Sequence, residues 1–428
     1  TSRADPVEAL RGAGRSVGAG RSWAQKSLVI VQVALSLVLL SAAALLAGSL
    51  RNLQQQDLGF ETKGRYVARI NPSLGNYKPE QLERMFREIN DRMLRIEGVR
   101  TASAALYAPI TGDSWNTGVR IEGRPEPPPR ADNGAGWTRV TPGFFETIGA
   151  KILLGRPITD EDRGATRQVA VVNEAFAKRF FKDENPIGRH FGQGKIKYSG
   201  MYEIVGVTND VRYMNWDYKK PVRPMFWLAE AQTAQYDDPA YQSGEMWSHY
   251  LYNLVIWAPG DPPGMEERVR KALAAVDPNL VLYSVEPYSK ILNGNFQQQN
   301  MIATLTMLFG ALGLILAAVG LYGVLAYIVA RRTNEIGVRM ALGADRGRVI
   351  RMVLGSGCRQ VGAGVAVGIP AAIGCGRLMA DQLFGLKPWD PPMLALATLM
   401  IGFAGLLASF VPAWRAAAVD PMTSLRTE

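Results

Sequence analysis

The chain has 428 residues, 47% of them hydrophobic and 20% charged. No charged residue occurs from Ser27 to Leu50 or from Asn300 to Ala330, and apolar runs of that length belong to a bilayer, which argues against a purely soluble enzyme. The net charge is +10, yet residues 51–300 hold 32 basic and 30 acidic side chains, so most of the excess flanks the apolar runs, and no basic-aromatic surface for nucleic acid is left over.

In chain order, residues 1–26 form a basic segment with Arg11, Arg15, Arg21 and Lys26. The first span, 27–50, reaches about 36 Å as a helix, enough to cross a hydrocarbon core of about 30 Å. It exceeds a signal-peptide core, and no small-residue cleavage site follows.

Residues 51–300 read as one large domain. A strand at Tyr66–Ile70, a helix over Pro79–Ile96 with Leu82, Met85, Phe86, Ile89 and Met93 at helical spacing, and a strand at Val99–Leu106 make a β-α-β unit over 65–107. A second unit over 251–286 repeats the pattern with Tyr252–Trp257, a helix marked by Met265, Val269, Leu273 and Val276, and Val281–Val285. Two such units separated by an insertion predict a split ferredoxin-like subdomain. The insertion, 109–245, has short alternating runs at Gln168–Val172 and Glu203–Val207 and one helix at Glu174–Phe181, and predicts a mainly β lobe.

Chemistry is sparse in this domain. His190 and His249 are the only histidines, and neither has a Ser or Cys neighbour that suggests a triad, so both read as structural or solvent-exposed. Asp160, Glu161 and Asp162 after Thr159 predict a capped helix start rather than a metal site. Gly188–Lys195 lacks the spacing of a phosphate loop, and Cys358 and Cys375 form no CxxC pair. No catalytic, cofactor or metal site is expected.

The remaining spans are 301–330, 352–376 and 393–411, separated by loops 331–351 and 377–392 and followed by a tail, 412–428. Arg331, Arg332, Arg339, Arg346, Arg348 and Arg351 crowd the first of these loops, whereas the second nets zero. The positive-inside tendency therefore places both termini and 331–351 in the cytoplasm, and 51–300 and 377–392 outside. Small-residue pairs at Gly310/Gly313, Gly320/Gly323, Gly364/Gly368 and Gly402/Gly405 predict closely packed helices. Arg359, inside the third span, is expected to snorkel towards the cytoplasmic face. The fold class is thus four membrane helices plus a large α+β extracytoplasmic domain.

The run Gly320-Leu-Tyr-Gly-Val-Leu-Ala-Tyr-Ile-Val-Ala-Arg-Arg-Thr-Asn-Glu-Ile-Gly-Val-Arg-Met-Ala-Leu-Gly-Ala344 closely resembles the signature of the MacB/FtsX-type permease superfamily of ABC transporters. Pro412, Arg415, Ala416, Asp420, Pro421, Leu425 and Arg426 resemble its closing motif, and Val140-Thr-Pro-Gly-Phe-Phe, Val171-Val-Asn-Glu, Asn185-Pro-Ile-Gly and Ile204-Val-Gly-Val resemble its MacB-type core domain. The chain is most similar to the C-terminal half of the duplicated orphan permeases of acidobacteria.

Read physically, Thr333 or Asn334 caps a short amphipathic helix through Leu342 and Gly343 stops it; Arg332, Glu335 and Arg339 project from it, while Ile336, Val338, Met340 and Leu342 are free to fill a partner's groove. The resemblance implies that this is a coupling helix docking on a separate cytoplasmic ATPase subunit, which holds the ATP, so that the chain transmits motion across a bacterial inner membrane to a periplasmic domain for export or extraction of a substrate. Alternatives are an FtsX-like regulator with a periplasmic protein partner, and an accessory membrane subunit without its own ATPase. Arg3-Ala-Asp-Pro-Val-Glu-Ala-Leu-Arg11 echoes Ala418-Val-Asp-Pro-Met-Thr-Ser-Leu-Arg426, which predicts a second permease half in a tandem polypeptide, a homodimer being the other way to supply it.

Overall fold

The computed structural model describes residues 6–75, 77–128, 130–164, 166–182, 184–213, 220–342 and 345–418, with side chains from residue 25 onward. The echoed N-terminal segment and the motif residues Asp420, Pro421, Leu425 and Arg426 lie outside the residues whose side chains are described. The chain divides into two compact units, 56–295 and the remainder.

Helix α1 (Pro6–Gln55) opens the chain. In the first compact unit, β1 (Arg65–Asn71), α2 (Pro79–Leu94) and β2 (Thr101–Ala105) precede the insertion. The insertion contributes β3 (Trp115–Ile121), β4 (Gly134–Val140), α3 (Phe144–Ile148), β5 (Ile152–Gly155), β6 (Val169–Asn173), α4 (Glu174–Phe180), β7 (His190–Gln193), β8 (Tyr202–Thr208), β9 (Met225–Ala229) and α5 (Pro239–Ser248). The unit closes with β10 (Asn253–Trp257), α6 (Met265–Ala274), β11 (Val281–Pro287) and α7 (Tyr288–Asn295).

Strands β11-β1-β10-β2 lie side by side and antiparallel, the ferredoxin-like order, because each β-α-β crossover skips a place that the other unit fills. Helices α2 and α6 cover one face, where Leu82, Phe86, Ile89, Val269 and Leu273 meet Ala68, Ile70, Leu254 and Ile256. Val67 and Val255 point to the opposite face and a second core, the period-two alternation of a strand buried on both sides.

The insertion is β-rich and more closed than its alternating runs foretold. Strand β9 pairs with both β6 and β4, so β4-β3-β7-β8-β6-β9 forms a ring with no free edge among those pairings. Phe191, Tyr202, Ile204, Phe226 and Leu228 belong to one of its cores, while the alternate residues Val169, Val171, Met225, Trp227 and Ala229 belong to the core shared with β1 and β10. Burial on both faces explains the unbroken apolar runs of β6 and β9. Among the described residues three α-helices, not one, lie in or beside the insertion.

Residues 159–162 form a turn, not the capped helix expected from Thr159. Asp162 turns inward, accepts from Thr159 N at 2.9 Å and takes a two-pronged bond from Arg156 at 2.7 and 2.8 Å. The arginine competes successfully for the carboxylate that would otherwise serve a helix N-terminus.

The second unit holds α1, α8 (Gln297–Arg331), α9 (Thr333–Ala341), α10 (Arg346–Leu378) and α11 (Pro391–Ala417). Four of these, α1, α8, α10 and α11, are long and apolar enough to cross a membrane. Helix α10 starts at Arg346, inside the stretch expected to be loop. The most apolar stretch of α1 is 56% buried, against 17 to 28% for the others, so α1 is the centre of the bundle. Val33 and Leu37 of α1 sit against Gly364 and Gly368 of α10, where an added Cβ would lie 2.6 and 2.9 Å from their side chains. Gly357 faces Ser409 and Leu325 in the same way, while Gly323 and Gly402 face open space. Outward residues such as Leu308, Phe309, Leu399 and Phe403 are exposed, as lipid-facing side chains are. Arg359 is exposed and donates to Gly355 O, one turn back towards the start of α10.

Candidate functional site

Arg332 ends α8, its N–H donating to Ile328 O and Val329 O, and the chain turns directly into α9. Thr333 does not cap α9. Its hydroxyl donates back to Val329 O at 3.1 Å and Ala330 O at 2.9 Å, because a side chain one residue past a helix end is closer to the spare carbonyls behind it than to the amides ahead. Asp345 caps α10, accepting from Gly347 N.

A nine-residue helix cannot hold itself together in water and must bury one stripe. That stripe is centred on Ile336, 2% exposed, which joins Val349 and Val353 of α10 and Ala413 and Ala416 of α11, with Val329 and Met340 at the margin. Ile336 is therefore an internal anchor and not free to enter a partner's groove, contrary to its sequence assignment. The closing-motif residue Ala416 meets Ile336 in this cluster, and Pro412 is buried one turn earlier. Sequence spacing gave no sign that these two motifs touch.

The adjoining stripe is polar and largely exposed, with Arg339 reaching α10 through a contact to Met352 Sδ at 3.5 Å. Glu335 accepts from Arg339 at 2.6 Å and lies 3.9 Å from Arg332, and all three are about half exposed. Leu342 continues the stripe at 83% exposure, and Val338 beside it is 42% exposed. The structure thus brings Arg332, Glu335, Arg339 and Leu342 onto one surface and turns Ile336 away from it. Gly343 lies outside the described residues. The arrangement can present paired charge and an apolar tip to a protein surface; it holds no nucleophile or acid-base pair.

The domain of residues 56–295 carries a second polar cluster that the sequence did not reveal. Arg139 of β4 is wholly buried and donates to Ser248 Oγ, Ala229 O and Gln232 O at 2.6 Å each and to Glu245. Burial works against the Glu245 carboxylate, but the Arg139 charge and the hydrogen bond from His249 hold its pKa below the ordinary value. Burial and the Arg139 charge in turn hold His249 below its usual value. His190 lies beside Glu122, 3.0 Å from its carboxylate. His249 is buried and His190 is largely buried. Among the described residues no group of three or more metal-ligating side chains occurs. The available signal for this cluster was a lone charge within or just past a strand otherwise free of charge, Arg139 in β4 and Glu230 just after β9.

Comparison with known proteins follows this division of the chain. Residues 28–291 match the MacB-like periplasmic core domain, and residues 307–421 match the FtsX-like permease C-terminal domain. The chain is 24% identical over 342 residues to the macrolide export ATP-binding/permease protein MacB of Chromobacterium violaceum, covering 78% of this chain and 50% of that protein. It is also 24% identical over 295 residues to the pyoverdine export ATP-binding/permease protein PvdT of Pseudomonas aeruginosa, covering 67% and 41%. The chain thus spans about half the length of the curated relatives it matches. The periplasmic region of MacB from Actinobacillus actinomycetemcomitans aligns with a TM-score of 0.36 at 12% identity, covering 57% of this chain and 98% of that one. With a MacB-like core domain matched over more than half its length and an FtsX-like permease domain after it, the chain belongs to the MacB/FtsX family of membrane permeases.

Proposed function

We propose that the chain is the permease part of an ATP-driven export or extraction system of a bacterial inner membrane, with α9 as its contact to a cytoplasmic ATPase. The observation that carries this reading is the build of α9: Ile336 is packed against α10 and α11, while Arg332, Glu335, Arg339 and Leu342 stand exposed along the adjoining flank. A push on the exposed stripe is delivered through Ile336 to two membrane helices at once, since packed interiors transmit displacement rather than absorb it. The domain of residues 56–295 is joined to the membrane unit through α1, which ends at Gln55, and α8, which begins at Gln297. Motion of those helices reaches the domain at both of its ends. ATP is bound by the partner, and a second permease half, as a second copy or within one polypeptide, completes the system.

The test is association with a cytoplasmic ATPase subunit of an export permease system, measured by co-purification from the native membrane after Glu335→Lys and Leu342→Asp are introduced together. These positions are exposed, so membrane insertion and thermal stability are expected to stay as in the parent while association falls at least tenfold. Association at the parent level would overturn the role of α9.

A further inference from the structure

Between α2 and the insertion lies a cleft of about 290 Å³, walled by Phe86, Leu94, Ala102 and Pro142 and reaching Glu230. A second cavity of about 410 Å³, lined by Glu80, Gln235, Gln242 and His249, shares the wall formed by Glu83, Glu230 and Ala231 with the first. Glu230 is 4% exposed, and among the described residues its carboxyl group has no hydrogen-bond or ion-pair partner. Burying such a group unpaired is costly, and native folds seldom leave one without a use. Two polar atoms of wall residues, Asn90 Oδ1 and Thr101 Oγ1, are fully buried without partners.

The position of Glu230 is fixed. Its N–H donates to Val140 O at 3.0 Å, extending the β4–β9 pairing, and Arg139 holds the carbonyls of Ala229 and Gln232 on either side of it. Gln232 is in turn tied to Val169 N and Arg167 O. The surrounding cations are otherwise engaged: Arg87 with Glu83 at 2.5 Å, Arg163 with the carbonyl of Asp160 at 2.5 Å, Arg139 with Glu245; Arg100 is exposed at the rim. What remains inside is acceptor capacity and an acid that Arg139 and Arg87 offset only from a distance.

We propose that this cleft is a binding site for a small amphiphilic organic cation, whose ammonium group pairs with Glu230 and whose apolar body lies against Phe86, Leu94 and Pro142. An ammonium supplies the donors the site lacks, and the pairing removes the cost of the buried acid. Burial holds the Glu230 pKa up to about 8, with Arg139 pulling it down and Glu83 pushing it up, so the empty site keeps a neutral acid that ionises when a cation arrives. A cavity of this size lies at the small end of ligand pockets. The inference does not depend on an ATPase or on the role of α9.

Isothermal titration calorimetry on the full chain in detergent micelles tests it with three probes of one shape: tryptamine, the neutral tryptophol and the anionic indole-3-propionate. Tryptamine is expected to bind at least tenfold more tightly than either analogue, and Glu230→Gln, which keeps shape and neutrality, is expected to abolish that preference. Equal binding of the three probes by the parent protein overturns the proposal without reference to any variant. A tryptamine preference that survives in Glu230→Gln, confirmed folded by circular dichroism, overturns the role of Glu230 and with it the site.

Discussion

Arg139 shows how one residue decides the integrity of the β-rich lobe. Its guanidinium satisfies two backbone carbonyls, a hydroxyl and a carboxylate drawn from β9, the segment after it and α5. Arg139→Met leaves Glu245 buried and charged and removes the arginine donor from both carbonyls, of which Ala229 O keeps the Gln232 N–H; removal of one partner from such a pair costs about 3–5 kcal/mol. Chemical unfolding followed by tryptophan fluorescence, to which Trp137 and Trp227 report directly, is expected to show that loss. Glu230 acts in the opposite sense. Its folded pKa of about 8 lies above the ordinary 4.5, so the fold favours the neutral acid. That contribution is complete below pH about 4.5 and is lost as pH rises through about 8, at a cost on the order of 4 kcal/mol. Arg139 from β4 and Glu83 and Arg87 from α2 are the charges that act on it. The midpoint of unfolding should therefore decline between pH 5 and 8 in the parent protein and decline less in Glu230→Gln.

At the level of elements, the membrane unit combines close approach of helices with a few hydrogen bonds between them, such as Ser36 Oγ of α1 to Gly313 O of α8 at 2.8 Å. Helix α10 presents a stripe of small residues, Gly357, Gly364 and Gly368, to α1, α8 and α11. Within that stripe stands Gln360, 6% exposed, with neither amide atom partnered. The two features predict opposite outcomes on one helix. Gly364→Val drives side-chain atoms into Val33 and should cost about 1–3 kcal/mol through overpacking. Gln360→Met removes an unpaired buried amide with little change in shape and should stabilise by about 1–2 kcal/mol. Thermal unfolding in detergent, with Gly402→Ala as the neutral reference at an open position, separates the three.

For the whole molecule the decisive property is topology. The +10 charge is concentrated beside the apolar runs, and the basic residues around α9 and the start of α10 set one face of the membrane unit apart from the segment joining α10 to α11. With Cys358 and Cys375 replaced by alanine, cysteines at Lys271 and Lys387, both exposed, are expected to react with a membrane-impermeant thiol reagent applied from the periplasmic side, and one at Arg346 is not. Labelling at 346 in sealed cells would invert the orientation and detach α9 from any cytoplasmic partner.

The sequence by itself determined what depends on local pattern: the apolar runs long enough for a bilayer, the two β-α-β units recognisable by a change of period from two to 3.6, and the motif after α8. These are legible because each follows from residues near one another in the chain. Only the tertiary structure decided what depends on partners far apart in sequence. Closure of the β ring through β4 and β9, the turn of Asp162 towards Arg156 in place of a helix start, the inward anchoring of Ile336 on Ala413 and Ala416, and the central place of α1 all arise this way. The same holds for Glu230. In the sequence it is one acid among 38 Asp and Glu; the fold buries it between two cavities and gives it no partner. Burial and pairing are properties of the assembled core, and a side chain's charge state and use follow from them.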